Sequence, residues 1–436
     1  MKIIFINRFF HPDQSATSQM LSGVAFSLAV NGHDVHVVTS RLHYDDAPRQ
    51  LAPFETVSGV AVHRVQTTAF GRRGLRGRAI DYLTFWAAAA LALWRLAKRG
   101  DVIVAKTDPP LLSVLAWPLA RWRGAHAVNW LQDIYPETAE ALGMGRGRVG
   151  RAVFGVLRGL RDHSLRAAAM NVVIGERMAD FLKTRGVGGE RIRVIANFAD
   201  SAVIRPAPAL ADSALRRAWG LEDAFVVGYS GNLGRAHDYQ TLLDAMTRID
   251  ARQSRAPRHA PRIAFLFVGG GALYDQLKSE AAARRLVIAQ FRPFQPFDKL
   301  SRSLAVPDLH LVTLRPELEG LIVPSKFYGV AAAGRPTLYL GDEDGEVARL
   351  IAHHQCGITV PLGDDVRLAR TIEQLAAAPA RCADMGARAR RAFAAEFRRK
   401  VAVARWSRLL QELSTGRVAQ LEPAARTAPD SVRKAS

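Results

Sequence analysis

The chain has 436 residues, 49% of them hydrophobic and 23% charged, which is the balance of a globular protein with two or three domains. Its formal net charge of +20 predicts an anionic partner and leaves nucleic acid, an anionic lipid surface and a phosphorylated substrate open. Only two cysteines occur, Cys356 and Cys382, and they form no CxxC or Cys/His ligand pattern, so neither a disulfide scaffold nor a structural zinc is expected. A reduced, cytoplasmic protein is expected.

The first 200 residues alternate β-rich apolar runs with helical patterns. The N-terminal run KIIFIN predicts a buried strand rather than a signal peptide, because it has no long apolar stretch and no small-residue cleavage site. Gly32 is typical of a helix C-cap before the next strand. A long helix is predicted at 79–99, and its apolar run is shorter than the roughly 18 residues that span a membrane. Further strands are predicted at DVHVVTS, VAVHRVQ, DVIVAKT, HAVNWLQD, AAMNVVIG and IRVIANF.

The alternation pauses at residues 199–213, which are rich in Ala and Pro and are typical of an interdomain linker. It then restarts with strands at FVVGYSGN, IAFLFVGGG, LVIAQFRP, LHLVTLR, PTLYLG and GITVPLG. The pattern predicts two doubly wound α/β domains at 1–205 and 206–395, a C-terminal helix at 396–413 and a disordered tail at 414–436. Ligands of such sheets bind outside the carboxyl ends of the strands, so the cleft between the domains is the expected site.

Two glycine-rich turns follow predicted strands of the second domain. Gly231 and Gly234 stand between a strand and a helix, where backbone N–H groups can approach a phosphate and Arg235 can add a charged contact. The run from Gly269 to Gly271 repeats the pattern. An ordinary tight turn explains both runs equally well, and the dinucleotide fingerprint GxGxxG is not met.

The stretch VPSKFYG predicts a helix start at Pro324 and Ser325, which places Lys326 in the first turn. A cation there opposes the helix dipole, which indicates that an anion is shared at this point, although a solvated lysine is the simpler alternative. The later run GDEDGE offers carboxylates for Mg²⁺ or for capping the next helix, and the capping interpretation is favoured.

In the first domain, Asp133 and His11 follow predicted strands and Glu137 lies near a helix start, so they face the expected cleft or serve as caps and turn residues. Residues 71–100 and 145–166 combine basic residues with Trp, Phe and Leu on predicted helices. This composition suits the interface of an anionic membrane. Core-facing helices with solvated charges are the alternative. Nucleic acid is not expected, because no recognition module is visible.

Taken together, four segments resemble the retaining, nucleotide-sugar-dependent glycosyltransferases of family four, which have the GT-B fold of two Rossmann-like domains facing each other across a cleft. The segments are HPDQSATSQMLSGVAFSLAVNGHDVHVVTS, LQDIYPE, VIGERMADFLKTRGV and VPSKFYGVAAAGRP. The resemblance extends to about Leu413 and is strongest to the subgroup that builds bacterial surface polysaccharides on polyprenyl-diphosphate carriers.

The resemblance implies roles for individual residues. Arg235 and Lys326 would neutralise the donor diphosphate, and Asp133 would face the transferred sugar, so these three are the catalytic candidates. The first domain would bind the acceptor, with His11, Ser15 and Glu137 on that side. The nucleotide-sugar pocket would be formed by Gly231, Asn232, Gly234, His237, Gly269, Gly271, Arg292, Pro293, Glu319 and Ser325.

The chain departs from the family pattern in three features. The usual pair of glutamates falls on Leu321 and Gly329, with Glu319 nearby as a substitute. Ser15 and the following alanine replace the glycine pair after the first strand, and His237 replaces a lysine of the donor loop.

The implied reaction is sugar transfer with retention from a UDP- or GDP-sugar to a polyprenyl-diphosphate-linked glycan, without a metal or another cofactor. The implied location is the inner face of the plasma membrane. A nucleotide-sugar epimerase of GT-B architecture and a non-enzymatic binder of anionic surfaces stay open as alternatives.

Overall fold

The computed structural model describes residues 1–13, 15–43, 50–71, 74–206, 214–255 and 261–415. Most of the predicted tail, part of the predicted linker (207–213) and residues 72–73 of the first basic segment lie outside the described residues.

The first domain is built on an eight-stranded sheet with the order β3-β4-β2-β1-β5-β6-β7-β8. Its strands are β1 (Lys2–Ile6), β2 (Asp34–Ser40), β3 (Phe54–Val57), β4 (Val60–Val65), β5 (Val102–Ala105), β6 (His126–Trp130), β7 (Met170–Val173) and β8 (Ile192–Val194). Neighbouring strands are parallel, except that β3 pairs antiparallel with β4. The predictions did not include β3, a four-residue edge strand without a buried residue.

The second domain is built on a six-stranded parallel sheet with the order β11-β10-β9-β12-β13-β14. Its strands are β9 (Ala224–Asn232), β10 (Arg262–Gly270), β11 (Ala289–Arg292), β12 (Leu309–Thr313), β13 (Thr337–Leu340) and β14 (Gly357–Val360). Each predicted strand of this half is present. The two sheets confirm the predicted α/β class with two doubly wound domains.

Helices connect the parallel strands and cover both faces of each sheet. They are α1 (Ala16–Val30), α2 (Leu75–Leu96), α3 (Leu112–Arg123), α4 (Glu137–Ala141), α5 (Arg148–Ala167), α6 (Glu176–Thr184), α7 (Ala214–Ala218), α8 (Gln240–Gln253), α9 (Tyr274–Ala283), α10 (Leu300–Ala305), α11 (Lys326–Ala332), α12 (Glu346–His354), α13 (Asp365–Ala376), α14 (Pro379–Ala392) and α15 (Arg399–Ser414). Gly32 follows α1 with a φ of 84°, as a C-cap position requires. Within the described residues, no helix is both long and apolar enough to cross a membrane.

The chain returns to the first domain at its C-terminal end. After α14, residues Phe393–Phe397 form a π-helical turn, and α15 then packs beside α1. Trp406 of α15 is fully buried, with its ring 6.1 Å from Phe5 and 4.9 Å from Trp130. Helix α15 begins at Arg399, after this turn, where the sequence predicts a C-terminal helix at 396–413.

The domains also touch through the loops at the carboxyl ends of their strands. Asp133 forms an isolated antiparallel bridge with Ile322, and the N–H of Ile134 donates to the carbonyl oxygen of Leu321 at 2.9 Å. These contacts bring the loop after β6 against the loop that precedes α11, which places both at one side of the interdomain cleft.

Candidate functional site

The two glycine turns of the second domain lie against each other. A Cβ on Gly269 would lie 2.1 Å from the carbonyl oxygen of Gly231, and one on Gly271 would lie 2.2 Å from the side-chain oxygen of Asn232. Both glycines also have positive φ angles, 146° and 124°. The N–H of Leu233 donates across the contact to the carbonyl oxygen of Gly270 at 2.7 Å. Only glycine fits, so the turns present bare backbone at the carboxyl ends of β9 and β10.

Lys326, the first residue of α11, lies against the first of these turns. A Cβ on Gly231 would be 2.9 Å from Lys326 Cε, so the glycine makes room for the lysine. Its Nζ is 3.3 Å from His237 Nε2 and 5.2 Å from the centre of the Tyr229 ring. Burial lowers the pKa of Lys326 to about 8. No carboxylate of the described residues forms an ion pair with it, so the amine is a buried cation without an acid.

His237 holds this lysine in place as a neutral ring. Burial, followed by the charge of Lys326, lowers the pKa of His237 to about 3. Its Nδ1 is 2.7 Å from the carbonyl oxygen of Thr313, which can only accept, so the Nδ1–H donates and Nε2 accepts from Lys326. The histidine that replaces the family's lysine therefore orients another lysine.

The remaining donor-side candidates lie around these turns. Arg235, in the same loop as Gly234, is exposed, and its guanidinium has no partner in the part of the chain that is described. Ser325 is exposed directly before α11. Arg292 ends β11, where its carbonyl oxygen accepts from the hydroxyl of Tyr274 at 2.8 Å.

An aromatic ring beside the second glycine turn was not among the predicted residues. Phe294, next to the exposed Pro293, lies 3.1 Å from where a Cβ of Gly270 would be, and 60% of its surface is exposed. An exposed ring between two prolines, FRPFQP, was the available signal. The ring provides an apolar surface next to Arg292 and Pro293, which are expected in the nucleotide-sugar pocket.

Glu319 is held by the protein itself. One carboxylate oxygen accepts from the hydroxyl of Tyr339 at 2.5 Å, and the other accepts from the N–H of Glu346 at 3.2 Å, at the start of α12. Burial raises its pKa. In this arrangement, both carboxylate oxygens already accept hydrogen bonds from the protein.

The acidic run GDEDGE forms ion pairs and a local hydrogen-bonded turn. Asp342 accepts from the N–H of Asp344 at 2.9 Å, and Asp344 pairs with Arg349 at the same distance. Glu343 pairs with Arg367 at 2.9 Å. The capping interpretation is not confirmed, because α12 has no side-chain cap at Gly345 and its first N–H donates to Glu319 instead.

The facing wall of the first domain contains a second buried lysine, which the predictions did not include. Lys106 directly follows β5 and is 1% exposed. Its Nζ lies 3.8 Å from the centre of the Trp130 ring and has no hydrogen-bond partner among the residues described. The signal was present in the sequence as a lysine at the carboxyl end of the apolar strand DVIVAKT.

Lys106 and Asp133 line the same small pocket, together with Tyr135. Burial lowers the pKa of Lys106 to about 7, against the opposing charges of Asp133 and Asp108. Burial also raises the pKa of Asp133 and that of Asp108 to about 6 each. This wall therefore contains one amine and two carboxylates whose pKa values all lie near neutral pH.

His11 and Ser15 lie on the loop between β1 and α1. The His11 side chain is exposed, its carbonyl oxygen accepts from Arg64 at 2.9 Å, and burial lowers its pKa. Ser15 occupies the N-cap of α1, and its N–H donates to Asp13 at 2.7 Å.

Glu137 has a different environment from the other acceptor-side candidates. Its carboxylate pairs with Arg161 at 2.7 Å and with Arg158 and Arg185 at 3.2 Å each. Although burial opposes the effect, hydrogen bonds and charge from Arg161 hold its pKa below the usual value. Three arginines form ion pairs with this carboxylate. Glu137 therefore links α4 to α5 and to the end of α6, and its carboxylate is not presented to a ligand.

Comparisons with known proteins agree with this architecture. Residues 17–197 match the family model "Glycosyl transferase 4-like domain". The chain is 29% identical over 280 residues to the probable glycosyltransferase WbjE of Pseudomonas aeruginosa, covering 64% of this chain and 67% of that protein. It is 23% identical over 362 residues to the putative colanic acid biosynthesis glycosyl transferase WcaI of Escherichia coli, covering 80% and 86%.

Solved structures show the same fold. HepE of Anabaena in complex with UDP aligns with a TM-score of 0.68 at 16% identity, covering 94% of this chain and 100% of that one. Sucrose-phosphate synthase of Thermosynechococcus elongatus aligns with a TM-score of 0.75 at 17% identity, covering 95% and 99%.

Proposed function

We propose that this chain, which has the GT-B fold, is a family-four glycosyltransferase that transfers a sugar with retention from a UDP- or GDP-sugar to a polyprenyl-diphosphate-linked glycan. The product would be part of a bacterial surface polysaccharide. The name of WcaI, which refers to colanic acid biosynthesis, supports this class of product, and the UDP bound by HepE supports a nucleotide-sugar donor.

The observation that carries the proposal is the buried amine of Lys326 beside bare glycine backbone. A buried cation without a carboxylate partner is costly, and a bound anion removes that cost. The amine, the exposed Arg235 and the N–H groups of the two glycine turns offer what a diphosphate needs: positive charge and close backbone approach. His237 is neutral and so does not compete for the anion.

These groups would act on the leaving group. The bond between the anomeric carbon and the diphosphate oxygen breaks while the acceptor oxygen bonds to the same carbon on the same face. The proton of the acceptor hydroxyl passes to the departing phosphate oxygen, so no separate base is required. Lys326 and Arg235 stabilise the negative charge that develops on the diphosphate, which is electrostatic catalysis by preorganised groups. A metal ion is not required for this step.

The Lys106 cluster would bind sugar rather than phosphate. Asp133 and Asp108 would repel a diphosphate, whereas an amine and a carboxylate together can donate to and accept from hydroxyl groups. The contact of Asp133 with Ile322 brings this wall to the loop before α11, so hydroxyls bound here would lie near the donor side.

A separate surface of the first domain supports a membrane-bound acceptor. Helices α2, α3 and α5 pack side by side on one face of the sheet. Their outer side exposes apolar residues, including Trp122 at 74% and Val149 at 78%. Arginines flank them, and the guanidinium of Arg123 lies 5.0 Å from the centre of the Trp94 ring. Exposed apolar groups among arginines match the interface of an anionic bilayer.

Thermal-shift measurements test the donor site. In buffer with excess EDTA, we expect UDP or GDP, and one of its sugars, to raise the melting temperature of the wild type, because a ligand of the native state stabilises it. Lys326→Met should lose this shift, whereas the exposed-lysine control Lys299→Met should keep it. A shift that needs Mg²⁺, or an unchanged shift in Lys326→Met, would contradict the proposed site. Conversion of the nucleotide sugar without an acceptor would identify an epimerase instead.

Vesicle flotation tests the membrane surface. The wild type should float with vesicles that contain anionic phosphatidylglycerol and not with pure phosphatidylcholine. The double variant Val149→Asp/Val156→Asp should lose flotation because it adds charge and removes apolar area from α5. Val287→Asp, at an 86% exposed position of the second domain, is the matched control. Equal flotation of the α5 variant and the control would rule out this surface.

A further inference from the structure

Three potential metal ligands converge at the end of α12. His353 and His354 are the last two residues of that helix, and their rings are 4.6 Å apart. His354 Nε2 is 3.7 Å from a carboxylate oxygen of Glu396, which lies in the π-helical turn after α14. One ligand atom from each of the three lies within 4.8 Å of the others. Two elements that are distant in the sequence thus bring these side chains together.

The local contacts leave these donors available. His354 Nε2 is buried and has no hydrogen-bond partner within the described part of the chain. The carboxylate of Glu396 is 40% exposed, and within the described ranges its only ion pair is the 3.7 Å contact with this histidine. An orphaned buried nitrogen is unfavourable unless something binds it. Water can reach the site from the exposed side and complete a coordination shell.

We propose that His353, His354 and Glu396 bind a divalent transition-metal ion such as Zn²⁺. Two imidazoles and a carboxylate are ordinary zinc ligands with bonds of roughly 2.0–2.2 Å, which places ligand atoms about 3.4 Å apart in a tetrahedron. The observed 3.7 Å between His354 and Glu396 is close to that spacing. Arg388, which donates to the carbonyl oxygen of Gln355 at 2.7 Å, adds positive charge nearby, so the affinity should be below that of a four-ligand structural site.

The position of the site suggests what the ion does. The π-helical turn precedes Arg398, which bridges to Ala199, so both chain crossings between the domains run side by side here. A bound ion would link α12 of the second domain to this crossover segment and would stabilise the segment. The nine residues of α12 separate the site by about 12 Å from the Glu319 end of the helix, so the proposed ion does not contact that residue of the expected donor pocket.

Zinc titration of the metal-depleted full chain tests the proposal. By isothermal titration calorimetry, we expect one equivalent of Zn²⁺ to bind the wild type and to raise its melting temperature. His353→Ala and Glu396→Gln should each weaken binding at least tenfold and reduce the thermal shift. His353 is exposed, so its removal tests the ligand rather than the fold. His33→Ala, a histidine in another loop, should bind as the wild type does.

Two results would overturn the proposal. One is a wild type that binds no zinc and shows no zinc-dependent change in melting temperature. The other is unchanged zinc binding in both His353→Ala and Glu396→Gln, which would place the ion elsewhere, for example at the stacked pair of His36 and His63.

Discussion

The two walls of the cleft each contain a desolvated lysine, Lys106 fully buried and Lys326 half-buried, and the lysines have opposite surroundings. Lys326 is next to a neutral histidine and glycine backbone, and no described carboxylate pairs with it. Lys106 is next to a tryptophan face and feels the charges of Asp108 and Asp133. Burial lowers the pKa of both amines, to about 8 and about 7.

The difference shows how the same side chain can be matched to different ligands. An amine without an acid partner attracts a strong anion, because only the ligand can neutralise it. An amine among carboxylates is already close to neutral overall and suits groups that both donate and accept. Under the proposed function, the second domain would therefore bind the diphosphate, and the first would bind sugar hydroxyls.

The largest effect is expected at Lys326. Lys326→Met should reduce transfer from the nucleotide sugar by about a hundred- to a thousandfold, the usual loss when one preorganised donor is removed from a developing charge. Steady-state kinetics measures the loss, and Lys299→Met is the control. The melting temperature without ligand should not fall, because an unpaired buried cation has been removed. Near wild-type turnover would remove Lys326 from the mechanism.

Lys106→Met should distinguish the role of the first-domain wall from that of the second-domain wall. We expect transfer to fall by about a hundredfold through lost sugar contacts, while the affinity for the nucleotide alone stays unchanged. Stability should fall, because Asp108 and Asp133 lose the opposite charge that offsets theirs and the Trp130 ring loses its contact with the amine. Calorimetry with UDP and GDP, together with thermal unfolding, checks both expectations against the surface control Lys98→Met. A loss of nucleotide affinity would mean that this wall also binds phosphate.

Arg235→Ala should have a smaller effect than Lys326→Met. The exposed guanidinium is expected to add one charged hydrogen bond, so donor kcat/KM should fall by roughly ten- to a hundredfold. Another exposed arginine, Arg302, provides the control variant Arg302→Ala. If Arg235→Ala and Arg302→Ala lower kcat/KM equally, Arg235 contributes only to the overall positive potential of the protein.

The smallest effect is expected in the pH dependence of nucleotide binding. The pKa of Lys326 is about 8 in the free protein, and a bound diphosphate favours the protonated amine. Affinity should therefore be constant below pH 8 and fall by up to tenfold per pH unit above it. His237 stays neutral across this range, since its pKa is about 3. The alkaline decline should be absent in Lys326→Met, as calorimetry between pH 7 and 9.5 can show.

Much of the second domain could be predicted because its signals are local. Each apolar run followed by glycines became a strand with a turn at its carboxyl end, and the helix after Ser325 begins at Lys326, as VPSKFYG indicates. Lys106 and Phe294 were missed, since a single charged or aromatic residue after a strand has no meaning until its burial and neighbours are known.

The sequence by itself determined the alternation of strands and helices, the two doubly wound domains and the places where glycine is required, because these depend on residues close together in the chain. Only the tertiary structure decided which charges remain unpaired. Glu137 and Lys326 both stand near a helix start, yet three arginines neutralise the first and no described acid pairs with the second. Pairing and desolvation depend on side chains brought from distant elements, and these are known only once the chain is folded.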